Sequence, residues 1–304
     1  MFKHKRILSV VLFVLSWGYL VFKFSTYDEY ALLFSNLSSL PTINYFFLFI
    51  VLLLMPLNLW LEVYKWHTSV NLISNQTFSQ SFSQVILGNA GAFITPYRIG
   101  EYPSRAYYLD NKDLFLSAIV LGYIGTLALE IINVGVGLPA SLFYFIDSDM
   151  FVIVSTYILI FILFVVFFIF LPDFSNILGR RKFKQQQSVQ VIEMLKNLTT
   201  SFLFKLILLS LLRYLVYTIQ LYLILKFFAV DISILQALVA IPTYYMLVSI
   251  TPSLPIADAA IRGSWGILVF QAYTYSVPSI AFATLFLWLI NIVLPLIAVP
   301  FVKK

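Results

Sequence analysis

Long apolar runs are the feature that most constrains what this chain of 304 residues can fold into. A helix that spans a membrane needs about 20 consecutive, mostly apolar residues, and six segments satisfy that requirement. Only 11% of the residues are charged, whereas an average soluble domain carries about 25%. We therefore predict an all-α polytopic membrane protein. The predicted spans are residues 7–22, 43–61, 114–138, 151–171, 202–228 and 280–302.

Two further apolar stretches, 85–108 and 234–275, are interrupted near the middle by proline, glycine and charged residues. Irregular backbone is tolerated at membrane depth only where it is buried in protein or lines a water-filled cavity. We therefore predict that each stretch forms a re-entrant hairpin, which enters and leaves on the same side of the membrane.

The positions of Lys and Arg predict the orientation. With a cytoplasmic N-terminus and two re-entrant hairpins, fifteen of the 19 basic residues fall on the cytoplasmic side, three on the outer half and Arg213 inside a span. This bias follows the positive-inside rule, so we expect an integral protein of a prokaryotic cytoplasmic membrane with both termini inside. The polar loop 172–200 and its basic run 180–184 are then cytoplasmic. The acidic residues placed outside are Asp28, Glu29, Asp147 and Asp149.

The residue types exclude several classes of function. The chain has no Cys and two His, so it lacks the usual zinc and haem ligand sets. No Walker loop, nucleophile elbow or zinc motif is present, and the basic residues sit between apolar runs, which argues against nucleic-acid binding. We expect no cofactor, no catalytic residues and no ATP-driven step within this chain.

A duplicated phrase is the most informative motif. Ile94-Thr-Pro-Tyr-Arg-Ile-Gly-Glu101 returns as Ile250-Thr-Pro-Ser-Leu-Pro-Ile-Ala-Asp258, and an Arg follows each acid four residues later, at Arg105 and Arg262. In the predicted topology the first unit starts outside and the second inside. We therefore predict inverted repeats, an arrangement common in secondary transporters, over about 43–138 and 202–302 of a single transmembrane domain.

Both phrases have the chemistry of a helix start. Thr95 and Thr251 suit N-cap or turn positions, and the prolines after them suit the first helical residue. A helix N-terminus near the middle of the bilayer presents free N–H groups and a positive dipole end. Two such ends facing each other predict a site for an anionic group such as phosphate.

The order of these parts resembles the transmembrane, flippase-like domain of lysylphosphatidylglycerol synthases and the stand-alone membrane proteins related to it. The resemblance covers about residues 45–304 and rests on short motifs. It implies movement or binding of a lipid head group and gives no support for lipid synthesis, since the soluble aminoacyl-transferase domain is absent. The matching motifs are Asn58 with Lys65-Trp66, Thr95-Pro96 with Gly100-Glu101, Thr251-Pro252 with Asp258, and Leu294-Pro295.

The chain also departs from that family pattern. The usual Pro-Gly-Gly is Pro96-Tyr97-Arg98 in the first phrase and Pro252-Ser253-Leu254 in the second. Close approach of the backbone to a phosphate is therefore less assured. An acid-Arg pair common in the helix after the first phrase is replaced by Gly122-Tyr123.

Charged and polar residues inside the predicted spans are the candidate functional residues, because a charge in a membrane is costly. The arginines are predicted to hold a phosphate while the acids balance charge or carry a coupling proton; the alternative is a structural i, i+4 pair. For Arg213 a structural partner such as Glu130 is the alternative to a substrate role, and for Lys65 we favour interfacial snorkelling. The predicted substrate-binding residues are Thr95, Arg98, Glu101, Arg105, Thr251, Asp258, Arg262 and Arg213, and the predicted coupling or structural residues are Glu62, Glu130, Asn58 and Gln220.

The sequence thus predicts a membrane translocase, or a binder, of a lipid or lipid-linked phosphate head group. The expected partner is a membrane lipid or polyprenyl-phosphate-linked substrate, together with a synthase or glycosyltransferase. One alternative is a membrane-embedded transferase acting on polyprenyl phosphate, which needs a catalytic carboxylate at head-group level. The other is a non-transporting scaffold for a synthesis enzyme, for which charges inside the membrane serve no purpose.

Overall fold

The computed structural model describes residues 41–146, 186–251, 255–274 and 276–302, together with a few isolated positions before residue 26 and at 155–156. The predicted spans 7–22 and 151–171, the basic run 180–184 and the four acids predicted to lie outside fall almost entirely beyond the described residues. The described helices are α1 (Thr42–Val70), α2 (Phe78–Ile94), α3 (Glu101–Tyr107), α4 (Phe115–Ile146), α5 (Gln186–Lys196), α6 (Thr200–Phe227), α7 (Ile234–Ile250), α8 (Pro255–Phe270) and α9 (Val277–Trp288).

Within the described residues, four helical segments are long and apolar enough to cross a membrane: Thr42–Val70, Lys112–Phe145, Thr200–Phe227 and Val277–Phe301. They coincide with four of the predicted spans. At 1.5 Å per residue, the 29 residues of α1 extend for about 44 Å, which exceeds the roughly 30 Å of a bilayer core. The described chain is helical without any strand, so the prediction of an all-α membrane protein is confirmed.

Each interrupted apolar stretch is a pair of packed helices. In the first, α2 leads through a 3₁₀ turn at Pro96–Arg98 into the seven-residue α3, which packs back on α2. In the second, α7 is followed by α8, which packs on it. Both interruptions lie at the Thr-Pro phrases, as predicted.

The first helices of the two pairs are built alike. Helices α2 and α7 each have 17 residues, and each begins with a capping box, formed by Thr77 with Gln80 and by Ser233 with Gln236. At the other end, Thr95 donates its hydroxyl to the Gly91 carbonyl at 2.7 Å, and Thr251 donates to the Leu247 carbonyl at 2.6 Å. The duplication seen in the sequence is therefore also a duplication of local structure.

The open ends of the two helix pairs lie at opposite ends of α1. Leu109, just after α3, packs in one cluster with Val70 at the C-terminal end of α1. At the N-terminal end of α1, Asn44 donates to the carbonyls of Lys226 and Phe227, which close α6. The chain then enters α7, and the backbone N–H of Asp231 donates to the Tyr273 carbonyl at 3.1 Å.

Close packing between α4 and α7 depends on a glycine. An added Cβ at Gly137 would lie 2.6 Å from the Pro242 carbonyl oxygen, a distance that real side chains do not tolerate. Small residues allow helix backbones to approach in membranes, where burial of apolar surface supplies little driving force. Gly137 is therefore a position at which α4 and α7 pack closely.

Candidate functional site

A cavity of about 410 Å³ lies between the two helix pairs and the long helices. This volume falls within the range of about 300–1,000 Å³ typical of sites for small ligands. Residues of both phrases line it, including Thr251 of the second phrase, and seven of the lining residues are tyrosines. Its charged lining residues are Glu62, Lys65, Arg98, Glu101, Glu130, Arg213, Asp258 and Arg262.

In the first phrase, Glu101 divides its two oxygens between two arginines. Its Oε2 accepts hydrogen bonds from Nε and Nη2 of Arg98 at 3.1 and 3.0 Å. Its Oε1 accepts from Nη2 of Arg105 at 2.6 Å. The predicted i, i+4 pair is therefore present, and Arg98 adds a second cation to the same carboxylate.

Arg105 lies behind this pair and does not line the cavity. Its side chain is 1% exposed and also contacts Glu62 Oε1 at 2.7 Å. The guanidinium carbon lies 5.4 Å from the Trp66 ring centroid, and Gly88 leaves the space that the side chain crosses, since an added Cβ there would lie 2.7 Å from Arg105 Nε. The structure thus gives Arg105 a structural position in place of the predicted place beside the ligand.

Glu62 of α1 is the centre of the ion-pair network. It contacts Arg105 of α3, Lys65 of α1 at 3.2 Å and Arg213 of α6, while its own side chain is 3% exposed. Lys65 is buried in this network, so the predicted snorkelling to an interface is wrong. Arg213 has a structural acid partner, as one of the two alternatives expected, but that acid is Glu62 and the example named, Glu130, is not the partner.

In the second phrase, Asp258 accepts two hydrogen bonds on one oxygen. Arg262 Nε donates to Oδ2 at 3.1 Å, and the indole N–H of Trp288 donates to the same atom at 2.8 Å. The second i, i+4 pair predicted from the sequence is therefore also present. Here the Arg side chain is 23% exposed and lines the cavity, in contrast to Arg105.

The two phrases face each other across the cavity. Helix α8, which carries Asp258, contacts both α2 and the turn at Pro96–Arg98. Arg98 and Asp258 both line the cavity, and the ring centroids of Phe93 and Trp288 lie 6.3 Å apart. More than 150 residues of sequence thus separate groups that share one cavity.

The remaining predicted residues have mainly structural contacts. Asn58 accepts a hydrogen bond from Arg213 Nε at 2.9 Å and donates one to Asn291 at 2.8 Å. It therefore lies behind these two lining residues and holds them in place. Gln220 donates to the Val51 carbonyl at 3.0 Å and is fully buried. The Thr95 hydroxyl accepts from the N–H of Gly100 at 2.9 Å and shapes the turn. Glu130 lines the cavity.

Three of the predicted arginines line the cavity, but the helix N-terminus predicted at Thr95-Pro96 does not form there. Helix α3 begins at Glu101, five residues beyond Pro96, and has only seven residues, so no long helix points its N-terminus from Thr95. Residues 252–254 of the second phrase lie outside the described part. Among the described residues, the groups that can hold an anion are the guanidinium groups of Arg98, Arg213 and Arg262, which are 47%, 18% and 23% exposed.

The turn that carries Arg98 has an unusual backbone. Tyr97 and Arg98 both have φ of 56°, the left-handed region that favours glycine. Each such residue costs about 1–2 kcal/mol when it bears a Cβ. A conformation that glycine adopts without strain is therefore held here by two residues that carry side chains.

Trp288 and Asn291 line the cavity but were not among the residues predicted from the sequence. Asn291 lies in a π-helical turn, Leu289–Val293, that continues α9, and such turns often occur at functional sites. The available signal was a polar residue in an otherwise apolar span, four residues before Pro295. Trp288 gave no signal, because a Trp in a membrane span has many other uses.

The sequence matches no protein-family model, and no curated protein or solved structure is detectably similar to it. Within the described residues, no group of three His, Asp or Glu side chains is placed to hold a metal ion. The geometry itself therefore carries the functional argument: a polar cavity inside a membrane protein, lined by three partly open guanidinium groups and an ion-pair network behind them.

Proposed function

We propose that this protein is a translocase for a lipid or lipid-linked phosphate, and that the cavity between the two phrases binds the anionic head group. The observation that carries the proposal is the cavity of about 410 Å³ to which both phrases contribute an arginine, Arg98 and Arg262. Arg213 of α6 lines the same space. Arginine is suited to this task because its planar fork binds phosphate oxygens in pairs.

The two helix pairs act as re-entrant hairpins from opposite sides of the membrane. This is supported by the 17-residue length of α2 and α7, which is short for a span, and by the open ends of the two pairs at opposite ends of α1. Rocking of one repeat against the other would then expose the cavity alternately to each side. Both termini are cytoplasmic in this arrangement, and the membrane is a prokaryotic cytoplasmic membrane.

The sequence resemblance to the flippase-like domain of lysylphosphatidylglycerol synthases agrees with this function. The chain itself is proposed to have no catalytic activity, and a synthase or glycosyltransferase partner supplies or consumes the lipid. The polyprenyl phosphate transferase is the weaker alternative, since the sequence around its candidate carboxylates Asp28, Glu29, Asp147 and Asp149 shows no metal-binding pattern. A scaffold would not require three guanidinium groups in an open cavity, because charges inside a membrane are costly.

Lipid movement in reconstituted vesicles tests the proposal. Purified protein is placed in phosphatidylcholine vesicles that contain a fluorescent analogue of phosphatidylglycerol, of farnesyl phosphate or, as the control, of phosphatidylcholine. Quenching from outside by dithionite then reports how much analogue reaches the outer leaflet. The first two arms distinguish a glycerophospholipid from a polyprenyl phosphate source of the same phosphate chemistry.

The expected result is faster movement of one anionic analogue than of phosphatidylcholine, and loss of that difference in Arg262→Gln. If all three analogues move no faster than in protein-free vesicles, the proposed translocase function is wrong. If a phosphate lipid nevertheless binds the protein, the binder reading remains. If neither occurs, the scaffold becomes the better account.

A further inference from the structure

Arg98 differs from the other cations of the cavity in how it is held. Lys65, Arg213 and Arg262 project from the long helices α1, α6 and α8, whereas Arg98 lies in a three-residue 3₁₀ turn. Its side chain is also the most exposed of the paired cavity cations, at 47%. The turn combines this exposure with the left-handed backbone of Tyr97 and Arg98. Strained backbone of this kind persists only where surrounding contacts maintain it, and it concentrates at functional sites.

The contacts that maintain the turn can be given up without leaving a buried charge alone. Arg98 holds only Oε2 of Glu101, at 3.0 and 3.1 Å, and the Oε1 atom has its own partner in Arg105 at 2.6 Å. If Arg98 departs, Glu101 keeps a cation. Arg105 in turn keeps Glu62 at 2.7 Å. Arg98 can therefore leave the network without stranding a charge, and it lines the cavity.

The direction in which Arg98 can move is set by the opposite wall. Asp258 of the second phrase lines the same cavity and is paired with Arg262, and helix α8, which carries both residues, contacts the turn of Arg98. A phosphate placed among Arg98, Arg213 and Arg262 would give Arg98 a second anionic partner. It would also bring the first phrase closer to the second.

We propose that Arg98 exchanges partners when the head group binds: it leaves Glu101 for the ligand phosphate, and the turn at Tyr97 and Arg98 leaves its left-handed conformation. Glu101 is then a competitor of the ligand, and the strain stored in the turn favours binding when it is released. This inference rests on the proposed function, because it takes the anionic head group as the ligand. It adds which residue captures the phosphate and what opposes that capture.

A double-mutant cycle tests the exchange. Binding of dioctanoyl phosphatidylglycerol and of farnesyl phosphate to the detergent-solubilised protein is measured by titration, with dioctanoyl phosphatidylcholine as the uncharged reference. Glu101→Gln frees Arg98 and should tighten binding of the preferred phosphate about twofold to fivefold, the range expected for a half-exposed ion pair. In an Arg98→Gln background the same change should tighten binding no more than Glu130→Gln does, because no guanidinium group remains to be released from Glu101.

Glu130→Gln is the matched control for charge. Glu130 also lines the cavity and forms no ion pair with the described residues. Its replacement therefore changes the electrostatic potential of the cavity without releasing Arg98. Its effect should be the same in the wild-type and Arg98→Gln backgrounds. If the Glu101→Gln effect is equally independent of Arg98, Glu101 acts only through its charge and the exchange is excluded.

A second pair of variants keeps the test open if Glu101→Gln does not fold. Tyr97→Gly and Tyr97→Ala both lack the ring, and they differ in the cost of a positive φ. The proposal expects Tyr97→Gly to melt at the higher temperature without ligand and to bind the phosphate about fivefold more weakly than Tyr97→Ala, since glycine has little strain to release. Equal affinities would show that the turn does not change on binding.

The binding data distinguish failure of the proposed function from failure of the partner exchange. If the wild-type protein binds neither phosphate better than phosphatidylcholine, the proposed function falls, and the exchange falls with it. If it binds one of them and the cycle shows no coupling between Glu101 and Arg98, the anionic site stands and the exchange alone is overturned.

Discussion

Arg105 and Arg262 occupy matching positions in the two phrases but have opposite environments. Arg105 is 1% exposed and is bound by two carboxylates, Glu62 and Glu101, while Arg262 is 23% exposed and is bound by Asp258. Removing one partner of a buried ion pair is costly because the other charge stays buried. The same residue type is therefore buried between two acids in one phrase and lines the cavity after the other.

This contrast gives a prediction. Arg105→Gln should lower the free energy of unfolding by about 3–5 kcal/mol, whereas Arg262→Gln should leave melting nearly unchanged and abolish lipid movement. Thermal melting in detergent, followed by tryptophan fluorescence, measures the first effect, and the vesicle assay measures the second. Equal melting of the two variants would contradict the structural position assigned to Arg105.

What the sequence could predict at the residue scale was local. Both i, i+4 acid-Arg pairs follow from spacing on a helix, and both are present. The position of Glu62 could not be predicted, because its partners Arg105 and Arg213 come from other helices and, for Arg213, from 151 residues away. The conformation of Tyr97 and Arg98 was also hidden, since neither residue type favours a positive φ.

At the scale of the element, the contact of α2 with α3 depends on how closely their backbones approach. An added Cβ at Gly88 would lie 3.0 Å from the Glu101 carbonyl oxygen and 2.7 Å from Arg105 Nε, while one at Gly125 would have its nearest neighbour, Lys65 Cε, at 3.7 Å. Overpacking of a tight contact forces the backbone to shift, but an ordinary contact does not.

Gly88→Ala should therefore destabilise the protein by about 1–3 kcal/mol. Gly125→Ala should be neutral, or stabilising by about 0.5–1 kcal/mol, because alanine is the better helix former. Melting temperatures of the two variants in the same detergent provide the measurement. A neutral Gly88→Ala would mean that α3 sits farther from α2 than described.

Helix ends were the least predictable elements. The hydropathy pattern places the first broken stretch at 85–108, but α2 begins at Phe78. The pattern misses the first two turns of the helix because five of their seven residues are Ser or Gln. The start is nevertheless legible in the capping pattern Thr77-x-x-Gln80, repeated as Ser233-x-x-Gln236. Both capping boxes also strengthen the case for a duplicated unit.

At the scale of the whole molecule, the proposed arrangement of hairpins predicts which loops face which side. The open end of the α7–α8 pair, at Asp231, should lie outside, and the open end of the α2–α3 pair, at Asn111, should lie inside with Asn197. The native chain has no Cys, so single cysteines at these three positions can be labelled from outside intact cells with an impermeant maleimide. Only Asp231→Cys should react. Labelling of Asn111→Cys would show that the first pair crosses the membrane.

The Glu62 network has a consequence for how the protein is made. Helix α1 leaves the ribosome before α3 and long before α6, so Glu62 enters the translocon when Lys65, one turn away, is the only one of its three final partners already synthesised. A single charge at a helix centre opposes insertion by about 2.5–3.5 kcal/mol. Glu62 and Lys65 lie in the C-terminal third of α1, and as an ion pair they enter the bilayer without net charge, whereas Glu62 alone would not. Lys65→Met should therefore reduce insertion of α1 in a truncated nascent chain ending before α3, as read by glycosylation mapping, while Lys65→Arg should insert normally. In the finished protein Arg105 and Arg213 still neutralise Glu62, so the molecules that do mature should melt near the wild-type temperature. Lys65 would then matter most during synthesis, when it neutralises Glu62 before Arg105 and Arg213 have been made.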